Sequence, residues 1–287
     1  MTNKTASTKA TQKPKRATPP AVKYYLVAYN VLSALGWAYL LIMLLIHLFN
    51  LDGKSQGPQS KAPVTTLLSR VLSTITLRQP ATPPTIQSKL PLFLQPIYSR
   101  AATAYSRIGP QTTIIQSFAI LEVLHVLLGW VRSPIATTTM QVSSRLFLVW
   151  GITQMFPQTH SNPIFTSMVL AWSITEVIRY AFYAYNLLGY TPSVLLWLRY
   201  STFYVLYPIG ASSEAFLMLA TLPQTSPIPS SLIPWKSTWT IGQYARGALF
   251  TIWWPGLYAM ISYMIGQRRK IYGPPAPTPK PKSVKTQ

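Results

Sequence analysis

The sequence predicts an all-α protein, a polytopic membrane bundle of six transmembrane helices with disordered basic termini. Three observations predict it. The chain is 49% hydrophobic and only 10% charged over its 287 residues, far below the ~25% charged fraction of soluble domains. Its apolar residues gather into runs near the ~20 residues that a helix needs to cross a bilayer. Its 25 basic residues outnumber 4 acidic ones, and a group of six sits at each end of the chain. Basic groups flanking apolar spans read as cytosolic anchors beside anionic lipid.

Residues 1–23 form a Pro/Lys/Thr-rich tail with six basic residues and no acid, a composition that cannot bury a core. The first apolar run, 24–49, would be about 39 Å long as a helix at about 1.5 Å per residue, so it tilts or emerges from the bilayer. Its length and its polar leader make it a signal anchor rather than a cleaved signal peptide. Asn30, Ser33, Gly36 and Trp37 place small and polar groups along it, which is helix-packing material.

Residues 51–112 read as a long inserted loop with seven basic residues. Within it, 64–77 is either an interfacial helix with Arg70 on its wet side or a partly ordered loop. Further spans follow at roughly 113–131, 142–157, 163–188, 194–220 and 239–265, the short third one with room to extend into Met140. The membrane domain thus runs over 24–265, and 266–287 is a basic Pro/Lys-rich tail. Six spans put both tails and Arg132, in the link between spans two and three, on one side. The basic loop 51–112 then falls on the other side, but long loops weigh little in the charge rule.

Composition also excludes. The chain has no cysteine, hence no disulfide and no thiolate nucleophile. A net charge of +21 would suggest nucleic acid in a soluble protein, but its placement around apolar spans points to lipid, and no nucleic-acid partner is expected. His47, His125 and His160 are isolated and match no metal-ligand spacing.

Three of the four acids lie inside spans: Glu122, Glu176 and Glu214, with Asp52 in a loop. An ionisable group in hydrocarbon costs several kcal/mol unless paired, neutral or watered, which makes each a functional candidate. Glu176 and Arg179 stand at i, i+3, close enough to pair on one helix, and Tyr180 and Tyr183 follow on neighbouring faces. Glu122 has His125 at i+3, as a proton relay or a structural pair. Arg145 could satisfy Glu122 or Glu176 across helices, or face the cytosol.

The fifth span reads LRYSTFYVLYPIGASSEAFLM. Tyr207 and Glu214 are seven residues apart, so they lie within about 20° on one helix face and about 10.5 Å apart along the axis. Pro208 between them should kink the helix. Gly210, Ala211, Ser212 and Ser213 leave room beside the pair. A phenol, a carboxylate and a loosened turn suit acid/base chemistry; the alternative is a tyrosine and a glutamate satisfied by neighbouring helices.

The stretches YNVLSALGWAYLL (29–41), ILEVLHVLLGWVRSPIATTTMQVSSRLFLVWGI (120–152), LAWSITEVIRYAFY (170–183) and LRYSTFYVLYPIGASSE (198–214) resemble the membrane 3-hydroxyacyl-CoA dehydratases of very-long-chain fatty acid elongation, also called the protein-tyrosine-phosphatase-like family. The resemblance implies a six-span protein of the endoplasmic reticulum with both termini cytosolic. It implies dehydration of (3R)-3-hydroxyacyl-CoA to trans-2-enoyl-CoA, with Tyr207 and Glu214 as the catalytic pair of the YPxGxxxE stretch and no cofactor. It further implies a condensing enzyme, a ketoacyl-CoA reductase and an enoyl-CoA reductase as partners, beside membrane lipids. Arg199, Arg132 and Arg145, toward the cytosolic side, suit the CoA phosphates, or serve as snorkelling anchors. Without cysteine, phosphatase chemistry by a thiolate is excluded.

The sequence departs from the family pattern in the length of loop 51–112, the extended N-terminal tail and a C-terminal KSVKTQ that is no dilysine signal. Asn3-Lys4-Thr5 is a glycosylation sequon, whose modification would contradict a cytosolic N-terminus. Two other readings stand beside the enzyme: a scaffold for the elongation enzymes, and a proton-coupled transporter using the three glutamates. The sequence shows no inverted repeat of the kind common in transporters.

Overall fold

The computed structural model describes residues 19–55, 89–225 and 239–273, and among these every regular element is helical. In chain order they are α1 (Pro20–Phe49), α2 (Gln95–Ala101), α3 (Tyr105–Ser117), α4 (Ile120–Leu127), α5 (Ile135–Leu146), α6 (Pro163–Leu188), α7 (Ser193–Arg199), α8 (Phe203–Leu219) and α9 (Ile241–Tyr272). A π-helical stretch, Phe147–Gln154, continues α5, and a single 3-10 turn, Pro157–Thr159, leads into α6.

Local chemistry sets several boundaries. Asn162 opens α6 with its side chain accepting from the Ile164 N–H at 3.0 Å, and Pro163 takes the first helical position, where a missing N–H costs nothing. Gly189 closes α6 at φ 92°, the left-handed conformation that glycine adopts without a Cβ clash. Asn50 ends α1 in the same region at φ 55°. Thr240 and Gln243 form a reciprocal capping box at the start of α9.

The core sits where α1, α3, the π-helical stretch and α6 meet. Trp37, Leu40, Leu44 and Leu48 of α1 pack on Phe165, Met168, Val169 and Trp172 of α6, with Ile108, Leu148 and Ile152 filling in. Their spacings of three and four residues put each set on one helix stripe. α8 also packs on α6, and α9 packs on α8. No residue of α9 is buried, so it is the outermost helix of this order.

α1 and α9 are long and apolar enough to cross a membrane by length and composition; α8 is a shorter apolar helix. Several expected boundaries move. The stretch 113–131 is two helices, α3 and α4, joined through the αR residues Phe118 and Ala119. α3 begins at Tyr105 and α2 precedes it, so the last part of loop 51–112 is helical. The short third run starts earlier, at Ile135. The run 194–220 is divided between Arg199 and Phe203, while α8 continues through Pro208. The division therefore lies upstream of the proline.

Both tails are shorter than the composition indicates, because α1 begins at Pro20 and α9 reaches Tyr272. Residues 64–77 and the Asn3 sequon lie outside the described residues.

Candidate active site

Among the described residues, three of the four acidic side chains are ion-paired and the fourth is not. Asp52 accepts from Arg107 at 2.6 Å. Glu122 accepts both terminal nitrogens of Arg179, at 2.8 and 2.7 Å, and the Tyr180 hydroxyl at 2.5 Å. Glu176, with only 1% of its surface exposed, accepts from Arg179 Nε at 2.7 Å and from Arg145 Nη1. Among the described residues Glu214 has no cation partner.

Two indoles hold Glu214 instead. Trp172 Nε1 of α6 donates to Oε1 at 2.7 Å, and Trp253 Nε1 of α9 donates to Oε2 at 2.8 Å. Each oxygen therefore has one neutral donor. Such a carboxyl can exchange a proton without stranding a buried cation, which Glu176 cannot do.

Tyr207 lies on α8 with Glu214, its ring edge-on to Phe203 with centroids 5.9 Å apart. Its hydroxyl makes no hydrogen bond among the described residues. Both residues fall within the one helix Phe203–Leu219, so the seven-residue spacing still sets them on one face, about 10.5 Å apart along the axis. The Ser213 and Ser167 hydroxyls meet at 2.7 Å and tie α8 to α6 beside the pair. Gly210 is buried against α6, where an added Cβ would meet the Ala171 Cβ at 3.6 Å.

The arginines separate into distinct settings. Arg145 engages Glu176 and lies over the Trp172 ring, its Cζ 5.4 Å from the centroid. Arg179 bridges Glu122 and Glu176 and lies 4.2 Å over the Tyr180 ring. Arg199 ends α7 among aromatic rings, 4.8 Å from Phe182 and 4.9 Å from Tyr183, and donates to the Tyr183 hydroxyl at 3.3 Å. Its Nε is buried without a hydrogen-bond partner. Arg132 is exposed in the connection between α4 and α5.

His125 takes another partner than the Glu122 its spacing suggested. His125 meets the Tyr25 hydroxyl at 3.1 Å, while Glu122 turns to Arg179 and Tyr180. His47 faces the Arg100 carbonyl and the Thr103 hydroxyl, each at 3.0 Å. His160 stacks on Tyr105 with centroids 3.5 Å apart. No cluster of three His, Asp or Glu forms among the described residues.

The structure thus joins Glu122, Arg179, Glu176 and Arg145 into one polar chain that reaches Glu214 through Trp172. Sequence reasoning found its charged members and missed both tryptophans. The available signal was that an indole N–H buried in an apolar segment needs an acceptor.

A family model described as protein tyrosine phosphatase-like protein, PTPLA, matches residues 116–274. The chain is 48% identical over 158 residues to a probable very-long-chain (3R)-3-hydroxyacyl-CoA dehydratase of Schizosaccharomyces pombe, covering 55% of this chain and 71% of that one. It is 44% identical over 170 residues to the dehydratase PASTICCINO 2B of Oryza sativa, covering 58% and 77%. Over 261 residues it is 35% identical to the Caenorhabditis elegans dehydratase hpo-8, covering 88% of this chain and 96% of the relative. No solved structure matches. The chain belongs to the protein tyrosine phosphatase-like, or PTPLA, family.

Proposed function

We propose that this protein dehydrates a (3R)-3-hydroxyacyl-CoA to the trans-2-enoyl-CoA, the third step of very-long-chain fatty acid elongation, with Tyr207 and Glu214 as the acid/base pair. The reading rests on Glu214, the acid whose donors among the described residues are all neutral, on the same helix face as a phenol with no hydrogen bond among those residues. The dehydratase names of the relatives supply the substrate class.

The reaction breaks the C2–H bond, acidified by the thioester, and the C3–O bond, forms the C2=C3 double bond, and releases water. One group takes the C2 proton and another gives a proton to the departing hydroxyl. Tyr207 and Glu214 offer one phenol and one carboxyl for these two transfers. Seven residues of helix leave room for the substrate's C2–C3 unit between them. No cofactor is needed, since no electrons are exchanged with an external acceptor.

Arg199 suits the CoA phosphates, as an arginine paired with rings and a phenol rather than with a carboxylate. Arg132, exposed in the α4–α5 connection, serves in this reading as a second cation for the CoA. Arg145 contributes through Glu176 and Trp172 more than by reaching the CoA.

In this reading the protein spans the endoplasmic reticulum membrane six times, with both termini cytosolic, through α1, α3–α4, α5 with its π-helical continuation, α6, α7–α8 and α9. The condensing enzyme, the ketoacyl-CoA reductase that makes its substrate and the enoyl-CoA reductase that consumes its product are its partners. The test is turnover of the purified full chain on long-chain (3R)-3-hydroxyacyl-CoA thioesters. Formation of the enoyl-CoA supports the reading; no turnover across a series of chain lengths, by a folded preparation, overturns it in favour of a scaffold.

A further inference from the structure

The geometry points to Trp172 and Trp253 as positioning residues for the reaction, an indole clamp that fixes the direction of the Glu214 carboxylate. The inference rests on the proposed role of Glu214. A carboxylate on a helix rotates about its side-chain torsions, and a proton transfer demands a defined lone-pair direction. Two donors, one on each oxygen at 2.7 and 2.8 Å, remove that freedom. An indole donates a single N–H and accepts nothing, so the clamp can orient the carboxylate without competing for the transferred proton.

The two jaws differ in how firmly they are held. Trp172 is 2% exposed, meets Trp37 edge-on at 6.4 Å and carries Arg145 over its face. Arg145 is itself fixed by Glu176. Through this stack the buried ion-pair chain braces one oxygen of Glu214. Trp253 comes from the outermost helix, which has no buried residue.

That same helix returns to the catalytic segment at its far end. Arg268 Nη1 donates to the Tyr200 carbonyl and the Ser201 hydroxyl in the interruption between α7 and α8. α9 therefore grips the segment at residue 200 and at residue 214, and its placement sets the second jaw.

The experiment compares wild type, Glu214→Gln, Trp172→Phe, Trp253→Phe and Trp253→His in steady-state dehydration of a long-chain 3-hydroxyacyl-CoA, with thermal unfolding of each in detergent. Phenylalanine keeps an aromatic ring and removes the N–H; histidine restores a ring N–H. A lost hydrogen bond to a charged group corresponds to roughly ten-fold or more in rate. The expected result is a kcat lowered at least ten-fold in Trp253→Phe, with KM within two-fold and the unfolding temperature unchanged. Trp253→His recovers part of the loss.

Trp172→Phe should behave alike, and Trp253 carries the test if that core variant unfolds. Full kcat in Trp253→Phe beside an inactive Glu214→Gln overturns the clamp and leaves the site. A Trp253→Phe loss that tracks a lower unfolding temperature, with no rescue by histidine, also overturns it. An active Glu214→Gln overturns the site itself.

Discussion

Arg179 presents both terminal nitrogens to Glu122, at 2.8 and 2.7 Å, while its Nε bonds Glu176 at 2.7 Å. One guanidinium thus ties α6 to α4 and to the acid three residues before it on its own helix. In a membrane, lipid is as apolar as leucine, so apolar burial does little to bring helices together. Packing and polar links of this kind do more. The fixed donors of arginine suit it to bridging two carboxylates.

Breaking this network should be costly. Glu176→Ala leaves Arg145 and half of Arg179 without their carboxylate at a site where the acid is 1% exposed. Loss of one partner from a buried pair costs about 3–5 kcal/mol. The expected outcome is a large drop in unfolding temperature and in yield from membranes, measured against Tyr207→Phe, which should unfold as wild type does.

Gly210 tests helix packing. A Cβ there meets the Ala171 Cβ at an ordinary 3.6 Å, and replacing a mid-helix glycine with alanine favours the helix by up to ~1 kcal/mol. Gly210→Ala should match or exceed wild type in unfolding temperature. Gly210→Leu should fall below it, because the larger side chain must separate α8 from α6.

Arg199 tests the mouth. Arg199→Gln should raise KM for the CoA substrate by roughly ten-fold or more with kcat nearly kept, the size of a lost charge-assisted hydrogen bond. The loss should shrink as salt rises, since screening weakens the wild-type interaction. Equal KM values at low salt would remove Arg199 from substrate binding.

Asp52 gives the pH dependence outside the spans. The hydrogen bond from Arg107 holds its carboxyl below the ordinary aspartate range. A depressed folded-state value means that the pair stabilises above the unfolded pKa and stops doing so as pH falls through the folded one. The pair is exposed and the effect small. Asp52→Asn should lower the unfolding temperature slightly at neutral pH, and the difference should vanish in strong acid.

Much of this was legible from sequence because lipid-length apolar runs and stranded acids are local signals. The run 163–188 coincides with α6, and the Glu176–Arg179 pair follows from its spacing. α3 was hidden by its polarity. Thr112 and Thr113 are buried there because their hydroxyls bond back to the Ile108 and Gly109 carbonyls, at 2.8 and 3.1 Å, which no hydropathy window registers. The clamp was hidden by distance: its donors lie 42 and 39 residues from Glu214 along the chain, on helices whose mutual placement is a tertiary fact. Tryptophan in an apolar span reads as bulk until its acceptor is seen.

Enoyl-CoA formation by purified wild type, Tyr207→Phe and Glu214→Gln, with unfolding temperatures measured in parallel, decides whether this pair carries the reaction. Wild type should turn over and both variants should lose at least a hundred-fold, as removal of an acid/base group costs ~10²–10⁴ in rate, with folding intact. Undiminished turnover in either folded variant would contradict that role for the pair.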